Sequence, residues 1–169
     1  HSSPGSSFTV GGHLVADVFG GQAPHYVPYS FVGTDGAAKM SSSRGGAPTP
    51  GDALAVIEAP IVRRLYCREP RKSFTIAFNE KLANLYDDWD RLSKKVAAGT
   101  AERGEAATHA RSVRSAVAEL PLTPRVLPFR SLASVVDITN GDADQILRIA
   151  GGMLDDGPLA SLDDLEPRL

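Results

Sequence analysis

The sequence is poor in the residues and runs that mark several protein classes. It has a single cysteine, Cys67, in 169 residues, which excludes an internal disulfide or a cysteine-based zinc site and suits the reducing cytosol. No apolar run approaches the roughly 20 residues that span a bilayer, so we expect a cytoplasmic protein with no membrane partner. Positive charge is not in excess, since 18 lysines and arginines face 20 acidic residues for a formal net charge of −2. Any nucleic-acid surface must therefore be a local patch.

Common catalytic motifs are also missing from these 169 residues. There is no Gly-Lys-Ser/Thr phosphate loop, no GxGxxG after a strand, no HExxH and no GxSxG, which excludes most hydrolases, metalloenzymes and dinucleotide-binding enzymes. No two histidines have metal-ligand spacing, so we expect no metal site within the chain. The chain begins with neither a methionine nor a signal-peptide pattern, which we interpret as a cut through a longer protein. The four histidines are His1, His13, His25 and His109.

Apolar periodicity predicts a mainly helical chain with minor β structure. The clearest amphipathic pattern runs from Leu82 to Val96, and we expect its apolar stripe, with Trp89, to pack inward. Thr49 is predicted to cap a helix that has Pro50 at its first position. Residues 33–36 have the composition of a hairpin turn, and the tail from residue 151 has only a weak pattern. Further helices are predicted near 10–19, 61–66, 101–118, 130–138 and 142–150, and short strands at 29–32 and 74–78.

The segment Lys-Met-Ser-Ser-Ser, from Lys39 to Ser43, is the strongest candidate for chemistry. Its ammonium group can neutralise the charge that builds on departing pyrophosphate, and its hydroxyl groups can donate hydrogen bonds to phosphate oxygens. Composition alone favours a plainer interpretation, a serine-rich surface loop with one solvated lysine.

The wider sequence around this loop resembles a known family. Lys-Met-Ser-Ser-Ser followed by Arg44-Gly45 is similar to the second signature of class I aminoacyl-tRNA synthetases, and its flanks resemble the archaeal-type class I lysyl-tRNA synthetases. The resemblance covers most of residues 1–99 and, more loosely, 128–149. The matching segments are His1 to Phe8, Pro28 to Gly33, Ala38 to Gly45, Thr49 to Leu54 and Leu85 to Asp90.

The resemblance implies a fold, a domain order and an activity. Residues 1–45 would be the C-terminal part of a class I Rossmann catalytic domain that ends in the signature loop. Residues 46–122 would form a helical stem-contact module, and residues 123–169 would start an all-helical anticodon-binding domain. The implied reaction activates L-lysine with ATP, accompanied by Mg²⁺, and transfers the lysyl group to tRNA-Lys.

Residue roles follow from the same resemblance. Lys39 would be the catalytic group that stabilises the transition state of adenylate formation, and His1 and Tyr29 match positions that line the amino-acid pocket. Many class I synthetases have a second lysine where this chain has Ser42, which leaves one ammonium group in this loop. The implied ATP-binding residues are Lys39, Met40, Ser41, Ser42 and Ser43.

The first class I signature, a histidine-rich loop that binds ATP, is missing from the chain. We therefore expect that the chain alone neither activates lysine nor charges tRNA. Two other interpretations stay open: a non-catalytic tRNA-binding or regulatory module made from synthetase parts, and a structural domain in which residues 39–43 are merely a loop.

A basic patch is the second candidate site. Five cations lie within ten residues, and we predict that they contact the tRNA backbone without reading bases, with no DNA partner. The alternative is a solvated helix end, where cations interact favourably with the helix dipole. The five residues are Arg63, Arg64, Arg68, Arg71 and Lys72.

Overall fold

The computed structural model describes residues 5–26, 30–34, 49–123, 125–166 and 168–169, and most of their ordered elements are helices. This confirms the mainly helical prediction. The helices are α1 Ser7–His13, α2 Pro50–Leu54, α3 Ala59–Arg68, α4 Leu82–Ala97, α5 Arg103–Ser112, α6 Phe129–Ile138 and α7 Ala143–Gly151. A π-helical turn, Leu14–Val18, continues α1, and a 3₁₀ turn, Leu162–Leu165, lies near the end of the chain; the two strands are β1 Val32–Thr34 and β2 Phe74–Ile76.

The predicted cap at Thr49 is confirmed in full. The Thr49 hydroxyl accepts a hydrogen bond from the Asp52 N–H at 3.2 Å, and the Asp52 carboxylate accepts one from the Thr49 N–H at 2.7 Å. The Thr49 N–H and the Thr49 hydroxyl, which also donates to the carboxylate at 2.8 Å, hold the pKa of Asp52 below its ordinary value. Such a reciprocal capping box satisfies two N–H groups that a helix start leaves free, and it fixes where α2 begins after the signature segment.

The sheet differs from the hairpin that the sequence predicts. Gly33 and Thr34 lie within β1, and β1 pairs in parallel with β2, with Val32 opposite Phe74. A two-residue turn cannot join parallel strands, so the hairpin interpretation of residues 33–36 is wrong for the part that the structure describes. Val32 and Phe74 also pack against the same hydrophobic cluster, and this shared burial favours the parallel pairing.

Among the described residues, two hydrophobic clusters form the core. The first is built mainly from α3 and α4, includes Trp89 and Tyr86, and confirms that the apolar stripe of α4 packs inward. The second joins α6 and α7 to the 3₁₀ turn through Leu165, whose side chain is fully buried. The tail after residue 151 therefore contributes core contacts, although its sequence pattern is weak. The predicted helices near 130–138 and 142–150 are confirmed as α6 and α7.

Helix α5 is shorter than predicted and is packed more closely. It ends at Ser112 rather than near residue 118, because the chain turns back and the Leu120 N–H bonds to the Val113 carbonyl at 2.7 Å. Ser112 is completely buried and donates a hydrogen bond to the Thr108 carbonyl. His109 stacks on Trp89 of α4, with ring centroids 4.8 Å apart and planes 8° from parallel. Helix α5 thus packs against both α3 and α4.

The stacked position of His109 predicts a pH effect on stability. Burial lowers the pKa of His109 below its ordinary value of 6.5, so the unfolded chain binds a proton there more readily than the folded chain. The contribution of His109 to the free energy of unfolding is complete above about pH 7. It falls as the pH drops through 6.5, and it levels off below the pKa of His109 in the folded chain. We expect His109→Phe, which retains an aromatic ring beside Trp89, to remove this component. Urea unfolding of both proteins at about pH 7.5 and 5.5 measures it, and an equal pH dependence in the two would contradict the assignment.

None of the helices in the described ranges is both long enough and apolar enough to traverse a bilayer.

Candidate functional site

The signature segment and the predicted amino-acid pocket lie outside the described residues. This applies to Lys39, Met40, Ser41, Ser42 and Ser43, and also to His1 and Tyr29. Their assigned roles stay predictions. The nearest described residues on either side of the signature segment are Thr34, at the end of β1, and Thr49, at the cap of α2.

The strand that leads toward the signature segment is fixed to the basic turn after α3. Besides the pairing of β1 with β2, the Ser30 N–H donates to the Pro70 carbonyl at 2.9 Å. The Ser30 hydroxyl donates to the Arg71 carbonyl at 2.6 Å. The chain that leads toward the signature segment is therefore hydrogen-bonded to the turn that carries Arg71.

The five residues of the predicted basic patch do not share one surface role. Arg63 is partly buried and donates to the carbonyl groups of Ser112 and Arg111, both at 3.2 Å, so it ties α3 to the end of α5. Lys72 is exposed and pairs with Glu69 at 3.3 Å across the turn. Arg71 is exposed on the same turn. The remaining two, Arg64 and Arg68, face a groove.

This groove lies between α3, α4 and α5 and has a volume of about 380 Å³. Arg64 and Arg68 stand four residues apart on one face of α3, and α4 adds Arg91 and Lys95 on the facing side. We call it the cationic groove. Its lining is Arg64, Arg68, Asp88, Arg91, Leu92, Lys95, Gly104, Glu105 and Thr108.

The two carboxylates of the cationic groove are already engaged. Asp88 accepts a hydrogen bond from Arg91 at 2.9 Å, and Glu105 accepts one from Lys95 at 2.7 Å. The bond from Lys95 and a second one from the Glu102 N–H keep the pKa of Glu105 below its ordinary value. Arg64 and Arg68 have no carboxylate within ion-pair distance among the residues that the structure describes.

Arg64 is the cation of the cationic groove that has a buried hydrogen-bond donor, unpaired among the described residues. Its Nε atom is buried and has no hydrogen-bond partner in the described part of the chain. Burial lowers the pKa of Arg64, and the neighbouring charges of Arg68 and Arg91 act in the same direction, whereas Asp88 opposes them. The guanidinium group nevertheless keeps its charge at neutral pH. The groove therefore holds positive charge that its own carboxylates leave partly uncompensated.

Comparison with known proteins decides the family. The sequence model of the family described as tRNA synthetases class I (K) matches residues 1–117, well over half of the chain. The chain belongs to the class I lysyl-tRNA synthetase family. The resemblance stated from its signature segment and flanks is thereby confirmed.

Several curated relatives carry the name lysine–tRNA ligase. The protein from Streptomyces coelicolor is 56% identical over 169 residues, which cover 99% of this chain and 29% of the relative. The protein from Thermococcus kodakarensis is 34% identical over 155 residues, covering 88% of this chain and 29% of the relative. The protein from Pyrococcus furiosus is 31% identical over 153 residues, with coverage of 87% and 29%. The chain thus spans less than a third of the length of these relatives.

Two residues of the cationic groove are absent from the sequence predictions. Arg91 and Lys95 belong to the polar side of α4, whereas the sequence prediction for this helix rests on its apolar stripe. Their signal was present, because Asp88, Arg91 and Lys95 follow each other at intervals of three and four residues and so share one helix face. Projecting α4 as a helix places these two cations on one face, and the structure shows that this face meets the patch on α3.

A buried arginine, Arg168, is also absent from the sequence predictions. Arg168 bonds to Glu58 at 2.7 Å and, through two nitrogens, to Asp90 at 2.9 and 2.8 Å. It also donates to the Leu127 carbonyl at 2.8 Å. Burial opposes the charge on Arg168, but the bonds to Asp90 and Glu58 outweigh it and raise the pKa. This residue joins the start of α3, the middle of α4 and the entry to α6.

Proposed function

We propose that this chain is part of a lysine–tRNA ligase, which activates lysine with ATP, releases pyrophosphate and passes the lysyl group to tRNA-Lys. The observation that carries the proposal is the segment Lys39 to Ser43 inside a chain that belongs to the class I lysyl-tRNA synthetase family. The names of the relatives support it.

The signature segment supplies the chemistry of the activation step in this proposal. The Lys39 ammonium group offsets negative charge on the departing pyrophosphate, and Ser41, Ser42 and Ser43 donate hydrogen bonds to the triphosphate. Mg²⁺ accompanies ATP and is held mainly by phosphates and water. Tyr29 and His1 line the lysine pocket, where an aromatic ring can attract the ammonium group of the substrate.

The proposed domain order follows the chain. Residues 1–45 form the end of the catalytic domain, residues 46–122 the stem-contact module, and residues 123–169 the beginning of the anticodon-binding domain. The two separate hydrophobic clusters support a division in the second half, since one is centred on α3 and α4 and the other on α6 and α7. The hydrogen bonds from Ser30 to Pro70 and Arg71 would hold the signature segment in register with the stem-contact module.

The tRNA partner can be tested on this chain alone. We expect the triple replacement of Arg64, Arg68 and Arg71 by alanine to weaken tRNA binding and to flatten its salt dependence, because each lost phosphate contact lowers the slope of log K against log salt by about 0.7 to 0.9. Fluorescence anisotropy with labelled tRNA-Lys at several salt concentrations measures both quantities. Arg63 belongs to the predicted patch but bonds to two carbonyl groups of the fold, so it is left unchanged in this variant. An unchanged affinity and slope would remove the patch from the proposal.

A non-catalytic tRNA-binding module remains the second candidate function. The observation that favours it is the cationic groove, where Arg64 and Arg68 have no carboxylate partner among the described residues and where RNA binding would need no ATP. Protection of residues 39–43 from protease by ATP would favour the ligase, whereas tRNA binding without any effect of ATP would favour the module.

A further inference from the structure

We propose that the cationic groove between α3, α4 and α5 binds one phosphodiester group of the tRNA backbone, so that Arg91, Lys95 and the start of α5 belong to the RNA interface. This inference rests on the proposed function for the identity of the RNA. It adds two helices to an interface that the sequence places on α3 and the following turn.

The charge balance of the cationic groove calls for an anion. The lining contains four cationic side chains and two carboxylates, and both carboxylates are engaged by Arg91 and Lys95 at 2.9 and 2.7 Å. Two guanidinium groups, Arg64 and Arg68, therefore face the groove without a carboxylate partner in the described residues. Because small-molecule pockets are lined mostly by apolar side chains, the lining here suits a charged ligand.

The buried Nε atom of Arg64 adds a second, independent reason. A buried donor without a partner costs stability, and the cost is larger for a charged group. Burial disfavours the charge of Arg64 most; among its charged neighbours, Asp88 and Glu105 favour that charge and the cations Arg68 and Arg91 disfavour it. A phosphate group would satisfy donors and offset the mutual repulsion in one step, since guanidinium groups bind phosphate oxygens in a fixed fork geometry.

The position of the cationic groove favours a polymer over a free phosphate. Arg68 is the last residue of α3, and the chain runs directly from it into the exposed turn that carries Arg71 and Lys72. Cations thus continue from the groove along α3 onto the turn. A stripe of this kind matches a backbone with phosphates at regular intervals, whereas a single phosphate would engage only the groove.

Gly104 offers a clean test because it lines the groove near the start of α5. A Cβ atom added there would meet no atom within 4 Å, and the residue has no positive φ. Gly104→Glu therefore introduces a carboxylate into the groove without a clash, and an acidic residue in the first turn favours the helix dipole. Gly104→Ala controls for the loss of glycine. Gln145→Glu adds the same charge in the first turn of α7, where the residue is exposed and distant in sequence from the groove.

We expect Gly104→Glu to weaken binding of labelled tRNA-Lys about tenfold at low salt, with a smaller effect as salt screens the added charge. Gly104→Ala and Gln145→Glu should bind like the unaltered chain, and thermal unfolding should show that all three variants are folded. Arg91→Gln should in turn lower the salt-dependence slope by about 1. Anisotropy titrations at several salt concentrations give all of these values.

Three results would overturn the inference. If Gly104→Glu binds tRNA as Gly104→Ala does while the alanine variant of Arg64, Arg68 and Arg71 binds weakly, then Arg91, Lys95 and the start of α5 are excluded from the RNA interface and the proposed function stands. If the unaltered chain binds no tRNA at low salt, both fail together. If Gly104→Glu weakens binding of inorganic pyrophosphate but not of tRNA, the groove holds a free phosphate compound and the RNA assignment is wrong.

Discussion

Replacing Arg168 by methionine is expected to lower the free energy of unfolding by about 3–5 kcal/mol, because it leaves buried carboxylates without their partner. The side chains of Arg168 and Glu58 are each 1% exposed, and that of Asp90 is 12% exposed. Thr123 donates to Glu58 at 3.2 Å, but a neutral hydroxyl cannot balance the carboxylate charge. Chemical denaturation followed by circular dichroism measures the loss.

The packing around Arg168 adds to this cost. Its guanidinium carbon lies 5.2 Å from the centre of the Tyr86 ring, and Tyr86 stacks on Phe129 of α6 with ring centroids 4.1 Å apart. The Tyr86 hydroxyl donates to the Val56 carbonyl at 3.2 Å and accepts a bond from the Glu58 N–H. Loss of the guanidinium group therefore disturbs the junction of the two hydrophobic clusters as well as the ion pairs.

Arg130 provides a matched control for Arg168. It also links two helices, pairing with Asp87 at 3.3 Å and with the Asn84 amide oxygen at 2.6 Å, but its side chain is 56% exposed. Because exposed ion pairs contribute roughly 0–1 kcal/mol, Arg130→Met should change stability little.

A compensated variant keeps the prediction testable if Arg168→Met fails to fold. Replacing Glu58 and Asp90 by glutamine and asparagine in the same chain removes both buried charges, and we expect this triple variant to recover part of the loss. A cost for Arg168→Met no larger than that for Arg130→Met would show that the buried network is not a main source of stability.

The contrast between these two arginines shows what the sequence could predict. The helices follow from local patterns: the apolar spacing of α4 and the capping box at Thr49 are complete within a few neighbouring residues. Arg168 lies 110 residues from Glu58 and 78 from Asp90, and nothing in the weakly patterned tail indicates that it returns to the core. Similarly, β1 has its partner 42 residues further along, and its hairpin-like composition gave the wrong neighbour.

The candidate site, like the fold, was predictable where its signal is contiguous in the sequence and not where it depends on contacts between distant residues. The signature segment and its flanks indicated the family because they are short, contiguous and specific. The basic patch was predicted as a run along the chain, yet the structure separates Arg63, bound to the carbonyl groups of Ser112 and Arg111, from Arg64 and Arg68 in the cationic groove. The role of a cation depends on the residues that face it, and these residues come from α5 for Arg63 and from α4 and α5 for Arg64 and Arg68.

Lys39→Ala in the full-length enzyme that carries this chain is expected to reduce lysine-dependent ATP–pyrophosphate exchange by about 10²–10³-fold, the usual cost of losing one group aimed at developing transition-state charge. The effect should fall on kcat, with the KM for lysine nearly unchanged, because the ammonium group acts where pyrophosphate departs and not where lysine binds. Ser42 stands where many class I synthetases have a second lysine, so the signature segment has no other ammonium group to share the charge.

Ser42→Ala is the matched control for Lys39→Ala, since it removes one hydroxyl group from the same segment and leaves the charge in place. A neutral hydrogen bond contributes less than a charged one, so we expect a loss of about tenfold or less in kcat. The 169-residue chain assayed alone should show no exchange above its own Lys39→Ala variant, because it contains no first signature for ATP. Exchange by the full-length enzyme that survives Lys39→Ala, or that falls equally in both variants, would contradict the role of Lys39, because an ammonium group that offsets the charge of the leaving pyrophosphate must matter more than one hydroxyl beside it.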